Sequence, residues 1–201
     1  CKLGYQPKDS YDYCPNTKYG ESKVIGEKVI VNSSLKIPWT IVRPTSIWGP
    51  WFDVPYKSFF DSIRRGHYFH PLGLRVRRSY GFIYNVVYQL DEIAKNKTKN
   101  LESKTIYLAD YKPIELKSWA QLICKNFNLR PIIEIPKLFF KIFAFLGDIL
   151  KFFGFENPPM TSFRLNNMCT ESVLDIELLK ENVGECPFSL EEGVGITCRW
   201  M

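Results

Sequence analysis

The chain is poor in the residues that announce metal or disulfide chemistry. Its six cysteines, Cys1, Cys14, Cys124, Cys169, Cys186 and Cys198, include no Cys-x-x-Cys pair, which removes the usual zinc and dithiol signatures. Both histidines, His67 and His70, stand three residues apart without an adjacent Cys, Asp or Glu to complete a ligand set, so no metal is expected. No Gly-x-Gly-x-x-Gly or Gly-x-x-Gly-x-x-Gly occurs, and a turn that cradles a dinucleotide phosphate is therefore missing from these residues. No secretory leader precedes the cysteines, so reduced thiols and a cytoplasmic setting are expected, and the sequon Asn96-Lys97-Thr98 reads as a coincidence. A net charge of +6 is modest and scattered; with no RNA- or DNA-binding motif beside it, it points to small anions and not to nucleic acid.

What is present suits an ordinary globular core: 201 residues, 45% hydrophobic and 15% aromatic. The informative stretch is Tyr19-Gly20-Glu21-Ser22-Lys23. In a helix, Tyr19 and Lys23 share one face, so a phenol and an ammonium can address the same small volume. A tyrosine is a weak acid or base near neutrality, but a fixed positive charge nearby favours the phenolate. Such a pair can exchange a proton with a substrate hydroxyl whose carbon exchanges hydride with a nicotinamide.

The pattern predicts a helix over 17–34, capped by Asn16 or Thr17, with Val24, Ile25, Val29 and Ile30 buried. A buried strand over 37–44 follows, ending at Arg43-Pro44, and then Thr45-Ser46-Ile47-Trp48-Gly49-Pro50. The order Tyr-Gly-x-Ser-Lys, helix, hydrophobic strand and Arg-Pro-x-x-x-aromatic-Gly-Pro resembles the extended short-chain dehydrogenase/reductase family, the NAD-dependent epimerases and dehydratases of nucleotide sugars. Pro187-Phe188-Ser189-Leu190-Glu191-Glu192-Gly193, followed by Trp200, resembles that family's last helix.

The resemblance covers the C-terminal two-thirds of the family pattern. It implies an α/β fold, a Rossmann-like doubly wound parallel sheet whose N-terminal half is absent, with a smaller α/β substrate-binding domain. Residues 1–53 would complete the NAD(P)-binding part, and 54–201 would form mainly the substrate domain, with elements returning to the first. Roughly 110 residues, with the glycine-rich turn and a catalytic Ser or Thr, would precede Cys1, leaving these residues inactive alone. The resemblance further implies NAD or NADP as cofactor, Tyr19 as acid/base, and Lys23 as its charge partner and ribose ligand. Backbone at Pro44, Thr45 and Ser46 would meet the nicotinamide, and the first helix would pair with its twin in a homodimer. Trp48 and Arg78 become substrate contacts, Arg78 because a guanidinium matches a diphosphate bidentately; Arg75 and Arg77 stand behind it. Tyr5, Tyr11 and Tyr13 in the leading loop are read first as anchors.

The implied function is epimerisation, dehydration or reduction of a nucleotide sugar. The alternatives are a steroid or other lipid alcohol as substrate, or a non-catalytic nucleotide-binding or assembly protein. Where relatives carry Val-Asp-Asp at a strand end, this chain has Tyr84-Asn85-Val86. An amphipathic helix is expected from Val54 to Gly66 with Val54, Phe59, Phe60 and Ile63 inward, and another from Pro113 to Phe127 on Trp119, Leu122 and Ile123. A short helix over 175–181 follows a segment in which Arg164 and Asn167 are candidate pocket residues. The apolar stretch 138–155, striped by Lys137 just before it and by Lys141, Asp148 and Lys151, is read as a helix packed in the substrate domain, with a membrane surface as the alternative.

Overall fold

The computed structural model describes residues 5, 7–34, 36–95, 99–156 and 158–201. The sequon at 96–98 and Cys1 lie outside them. Two compact units are present, the first formed by 1–49, 79–113 and 172–190, the second by 50–78, 114–171 and 191–201.

In the first unit, helix α1 spans Lys18–Val31, and the Thr17 hydroxyl accepts from the Gly20 amide to cap it. It is shorter than the pattern predicts, and none of its residues is buried. Gly20, Val24, Glu27 and Val31, spaced 4, 3 and 4, are half-buried, while Ile25, Val29 and Ile30 face solvent. The expected apolar face is thus corrected: Ile25 and Val29 lie on the opposite side of the helix from the half-buried stripe.

Strand β1 (Thr40–Pro44) starts after Pro38, whose missing amide hydrogen keeps it out of a ladder. It pairs in parallel with a later strand, Lys104–Leu108, from Thr40 opposite Lys104 to Pro44 opposite Leu108. Strand β2 (Ser46–Trp48) pairs in parallel with Tyr80–Phe82. The chain then enters a helix at Ile83 that runs to Lys95, so Tyr84-Asn85-Val86 occupies a first helical turn and not a strand end. Helix Glu177–Val183 closes the unit, two residues later than the pattern suggests. Its core is Val86, Leu101, Ile106, Leu108, Ala109, Ile176, Leu179 and Val183.

Asn85 explains the departure at its position. It is buried, its amide donates to Asp110 at 2.7 Å and to the Phe188 carbonyl at 2.9 Å, and its oxygen accepts from the Phe188 amide at 3.0 Å. Asp110 also accepts from the Phe82 amide at 2.9 Å. Burial pushes the Asp110 carboxyl up, opposed by these hydrogen bonds from Asn85 and Phe82.

The second unit carries α2 (Tyr56–Arg64), β3 (Phe69–Pro71) and β4 (Arg77–Arg78). In chain order through the whole protein, Tyr80–Phe82 is β5, Ile83–Lys95 is α3 and Lys104–Leu108 is β6. Then come β7 (Ile114–Glu115), α4 (Leu116–Asn126), β8 (Ile133–Ile135), α5 (Lys137–Phe152), α6 (Ser162–Cys169), the helix Glu177–Val183 as α7, and α8 (Leu190–Trp200). α2 buries Phe60 and Ile63 against α4, where Phe59 and Phe60 stand 5.0 and 5.7 Å from the Trp119 ring. Val54 is exposed, outside a helix that starts after Pro55, and Leu122 is only half-buried. β3 pairs in parallel with β8, and β4 pairs antiparallel with β7. His70 is enclosed, with Tyr68 Oη 3.0 Å from Nδ1 and the Leu74 carbonyl 2.9 Å from Nε2. Because a carbonyl can only accept, Nε2 carries the hydrogen and Nδ1 accepts from Tyr68.

Replacing Asn85 by Asp removes two donors and sets a second carboxylate against Asp110. Asn85→Asp should cost at least ~2 kcal/mol at neutral pH in urea unfolding. Like-charge repulsion raises the folded-state pKa, so the folded chain binds more protons than the unfolded chain between the two values. The loss should therefore be complete above the raised pKa and shrink as pH falls toward the unfolded carboxyl range. A variant equally destabilised at pH 5 and pH 7 would contradict this.

Candidate active site

Within the first unit, Tyr19 and Lys23 stand one helical turn apart on α1, with Lys23 Nζ 5.1 Å from the centre of the Tyr19 ring. Both are exposed, Tyr19 at 72%. Among the described residues, neither the Tyr19 hydroxyl nor the Lys23 ammonium takes part in a hydrogen bond or ion pair. Their contact is a cation resting on a ring face, and both polar ends are available to a ligand.

What holds α1 is a residue that motif reasoning passed over. Arg43, on β1, grips Glu27 bidentately, Nε to Oε1 at 2.9 Å and Nη2 to Oε2 at 2.6 Å. Both side chains are only 16% exposed. The same guanidinium donates to Tyr107 Oη at 3.1 Å on β6 and to the Ser10 carbonyl at 2.8 Å. It also lies 5.2 Å from the Tyr13 ring, whose phenol burial and the Glu27 carboxylate push up. One side chain thus ties the helix, two paired strands and the leading loop together. The sequence did carry a signal: Glu27 follows Lys23 by four and Tyr19 by eight, near the same edge of the helix. Tyr5 donates to the Asp12 carbonyl at 3.0 Å, an anchoring contact within the loop, and Tyr11 is exposed.

Pro44, Thr45 and Ser46 stand at the carboxyl end of β1, where open α/β sheets bind ligands. Pro44 and Ser46 are exposed. The Thr45 amide and hydroxyl both donate to the Leu108 carbonyl, at 3.0 and 2.9 Å, so its side chain is engaged in holding β1 to β6. Trp48 needs correction as a substrate contact. It is fully buried with its ring 4.9 Å from Phe82, because the residue alternates inward on β2, leaving no surface for a substrate.

Arg78 belongs to the second unit, and Tyr19 and Lys23 to the first. Its Nε and Nη2 donate to the Thr170 carbonyl at 3.2 and 3.0 Å, and Nη2 also donates to the Asn167 carbonyl. The charge therefore sits at the C-terminal end of α6, where helix carbonyls lack partners; Nη1 is outside these bonds. Arg77 pairs with Glu171 at 2.9 Å and Arg75 is exposed. Arg164 donates to the Pro158 carbonyl at 2.7 Å, and Asn167 offers its carbonyl to Arg78. Among the described residues no group of three or more His, Cys, Asp or Glu side chains could hold a metal.

The NAD-binding family described as male sterility protein matches residues 3–95, the span that contains Tyr19, Lys23, Arg43 and β2. A UDP-glucuronic acid 4-epimerase from Bacillus cereus, solved with NAD, superposes with TM-score 0.64 at 15% identity over 99% of this chain and 56% of its own. The chain shares the α/β fold of this epimerase over that part of its length. An epimerase from Methanothermobacter thermautotrophicus gives 0.63 at 16% identity over 100% of this chain and 55% of its own. The enzyme WbmF of Bordetella bronchiseptica, solved with NAD+ and UDP, gives 0.58 at 17% over 92% and 53%. The chain thus spans just over half the length of these structures. No curated protein matches it.

Removing the guanidinium should free α1 while leaving the core of the first unit intact. In Arg43→Ala, amide exchange in residues 18–31 should accelerate, and stability should fall by about 1–3 kcal/mol. Unchanged protection of those amides would mean that another contact holds the helix.

Proposed function

We propose that these residues supply the Tyr–Lys helix and substrate-binding part of an NAD(P)-dependent enzyme that epimerises, dehydrates or reduces a nucleotide-activated sugar. The observation that carries the reading is the Tyr19–Lys23 pair, exposed and uncommitted, on a helix tethered by Arg43 to a parallel strand pair. Its polar ends fit the needs of a nicotinamide ribose and a reacting hydroxyl. NAD(P), when bound, supplies the site that accepts and returns the hydride.

Tyr19 takes the proton from the substrate hydroxyl as its carbon is oxidised and gives it back on reduction. Lys23 places a positive charge beside the phenol oxygen and donates to the ribose, fixing the geometry. Pro44, Thr45 and Ser46 offer backbone to the carboxamide. Arg78 answers the substrate diphosphate through the face of its guanidinium not engaged with α6. The exposed Ile25 and Val29 row of α1 is the surface of a homodimer. A cytoplasmic setting agrees with Cys124, Cys169, Cys186 and Cys198 standing outside any disulfide.

In the full-length protein, Tyr19→Phe should lower kcat by about 10²–10⁴ with NAD affinity nearly unchanged, whereas Lys23→Met should lower kcat and weaken NAD binding together. Arg78→Leu should raise KM for a nucleotide sugar. A Tyr19→Phe enzyme with wild-type kcat would remove the acid/base role. Turnover of a steroid or lipid alcohol, indifferent to Arg78, would favour the lipid substrate class instead.

A further inference from the structure

Helix α5 is the most apolar helix of the second unit, and most of its residues are exposed. It is held along one narrow seam, Phe140, Ala144 and Gly147, against α6 and the segment before it. Gly147 is required there, since a Cβ would lie 1.6 Å from the Met160 carbonyl oxygen. The helix thus packs in its unit through this seam, with the rest of its surface largely exposed. With 3.6 residues per turn, Leu138, Ile142, Phe145, Ile149 and Phe152 fall in one strip opposite the seam, and all are exposed, from 38% at Ile149 to 86% at Phe152. Phe143 and Leu146 widen the strip, so a 16-residue helix, about 24 Å long, turns a broad apolar face to solvent.

The charges have a definite arrangement. Lys137 and Lys141, one turn apart, border the strip and line a groove of about 280 Å³ with Ala144, Ser162, Leu165 and Asn166. Asp148, the acid within α5, is turned to the Ser162 amide at 3.1 and 3.3 Å, where it caps α6. The border is therefore cationic in a chain of net charge +6.

We propose that α5 docks on an anionic phospholipid surface, its apolar strip entering the acyl boundary and Lys137 and Lys141 meeting headgroup phosphates at the mouth of the groove. An interfacial helix has this division, a broad apolar face edged by lysines that reach back to the headgroups. It lies on the bilayer, since no helix of the described residues is long and apolar enough to cross one. The α5 helix of a second copy would bring no free acid to the two lysines, because Asp148, the one acid of α5, is engaged with α6.

The test is sedimentation of the full-length protein with vesicles of phosphatidylcholine and phosphatidylserine, against phosphatidylcholine alone. Binding should be strong to the mixed vesicles and weak to the neutral ones. Each of Lys137→Gln and Lys141→Gln should weaken partitioning about fivefold. The double variant Phe145→Ser/Ile149→Ser, which changes exposed side chains only, should keep the wild-type thermal transition and lose binding. Failure of the wild type to sediment with mixed vesicles, or unaltered binding of the double variant, would overturn the proposal. So would a concentration-dependent dimer abolished by that variant, which would assign the face to a second copy.

Discussion

The bidentate ion pair of Arg43 with Glu27 is the constraint on which the candidate site depends. Helix α1 contributes no buried residue, so apolar burial, the term that fixes most helices, is weak here. A half-buried pair of this kind stabilises only if its remaining donors are also used, and Arg43 uses them on Tyr107 and the Ser10 carbonyl. The pair therefore sets where α1 lies against β1 and β6, and with it the position of the Tyr19 and Lys23 side chains. Charge on the buried side of the helix fixes it, and the Tyr19–Lys23 pair on the open side stays exposed.

The second unit solves a similar problem with different means. α2 and α4 form an aromatic core around Trp119, and His70 is held in one tautomer by Tyr68 and Leu74. α5 is attached by three small or flat contacts and an acidic cap on α6, which leaves most of its apolar surface open. In both units a helix is fixed along a narrow seam and its opposite face is exposed.

The motif Tyr19-x-x-x-Lys23 and the Arg43-Pro44 strand end were readable because helical spacing and proline chemistry are local. Strand β6 and the last helix were readable for the same reason. Trp48 was misread because a large aromatic after a strand end looks the same whether it points into a cleft or into the core; only the alternation set by pairing β2 with Tyr80–Phe82 decides. Ile25 and Val29 were assigned inward because hydrophobicity marks a face without saying whether that face has a partner. Arg43, Asn85 and Asp110 act through partners 16 to 103 residues away in sequence, and no local pattern encodes such pairings. The hold of Arg78 on the end of α6 is hidden by the same distance.

The measurement that bears most directly on the account is a single turnover of the full-length protein loaded with NAD, followed by the near-ultraviolet absorbance of reduced nicotinamide after a nucleotide sugar is added. Enzyme-bound reduced cofactor should form transiently in the wild type. It should form far more slowly when Arg43 is replaced by Ala, because the Tyr19–Lys23 pair is then no longer held in register with the strand end. Reduction of the cofactor at an undiminished rate in Arg43→Ala, or no reduction in the wild type with any nucleotide sugar, would contradict it.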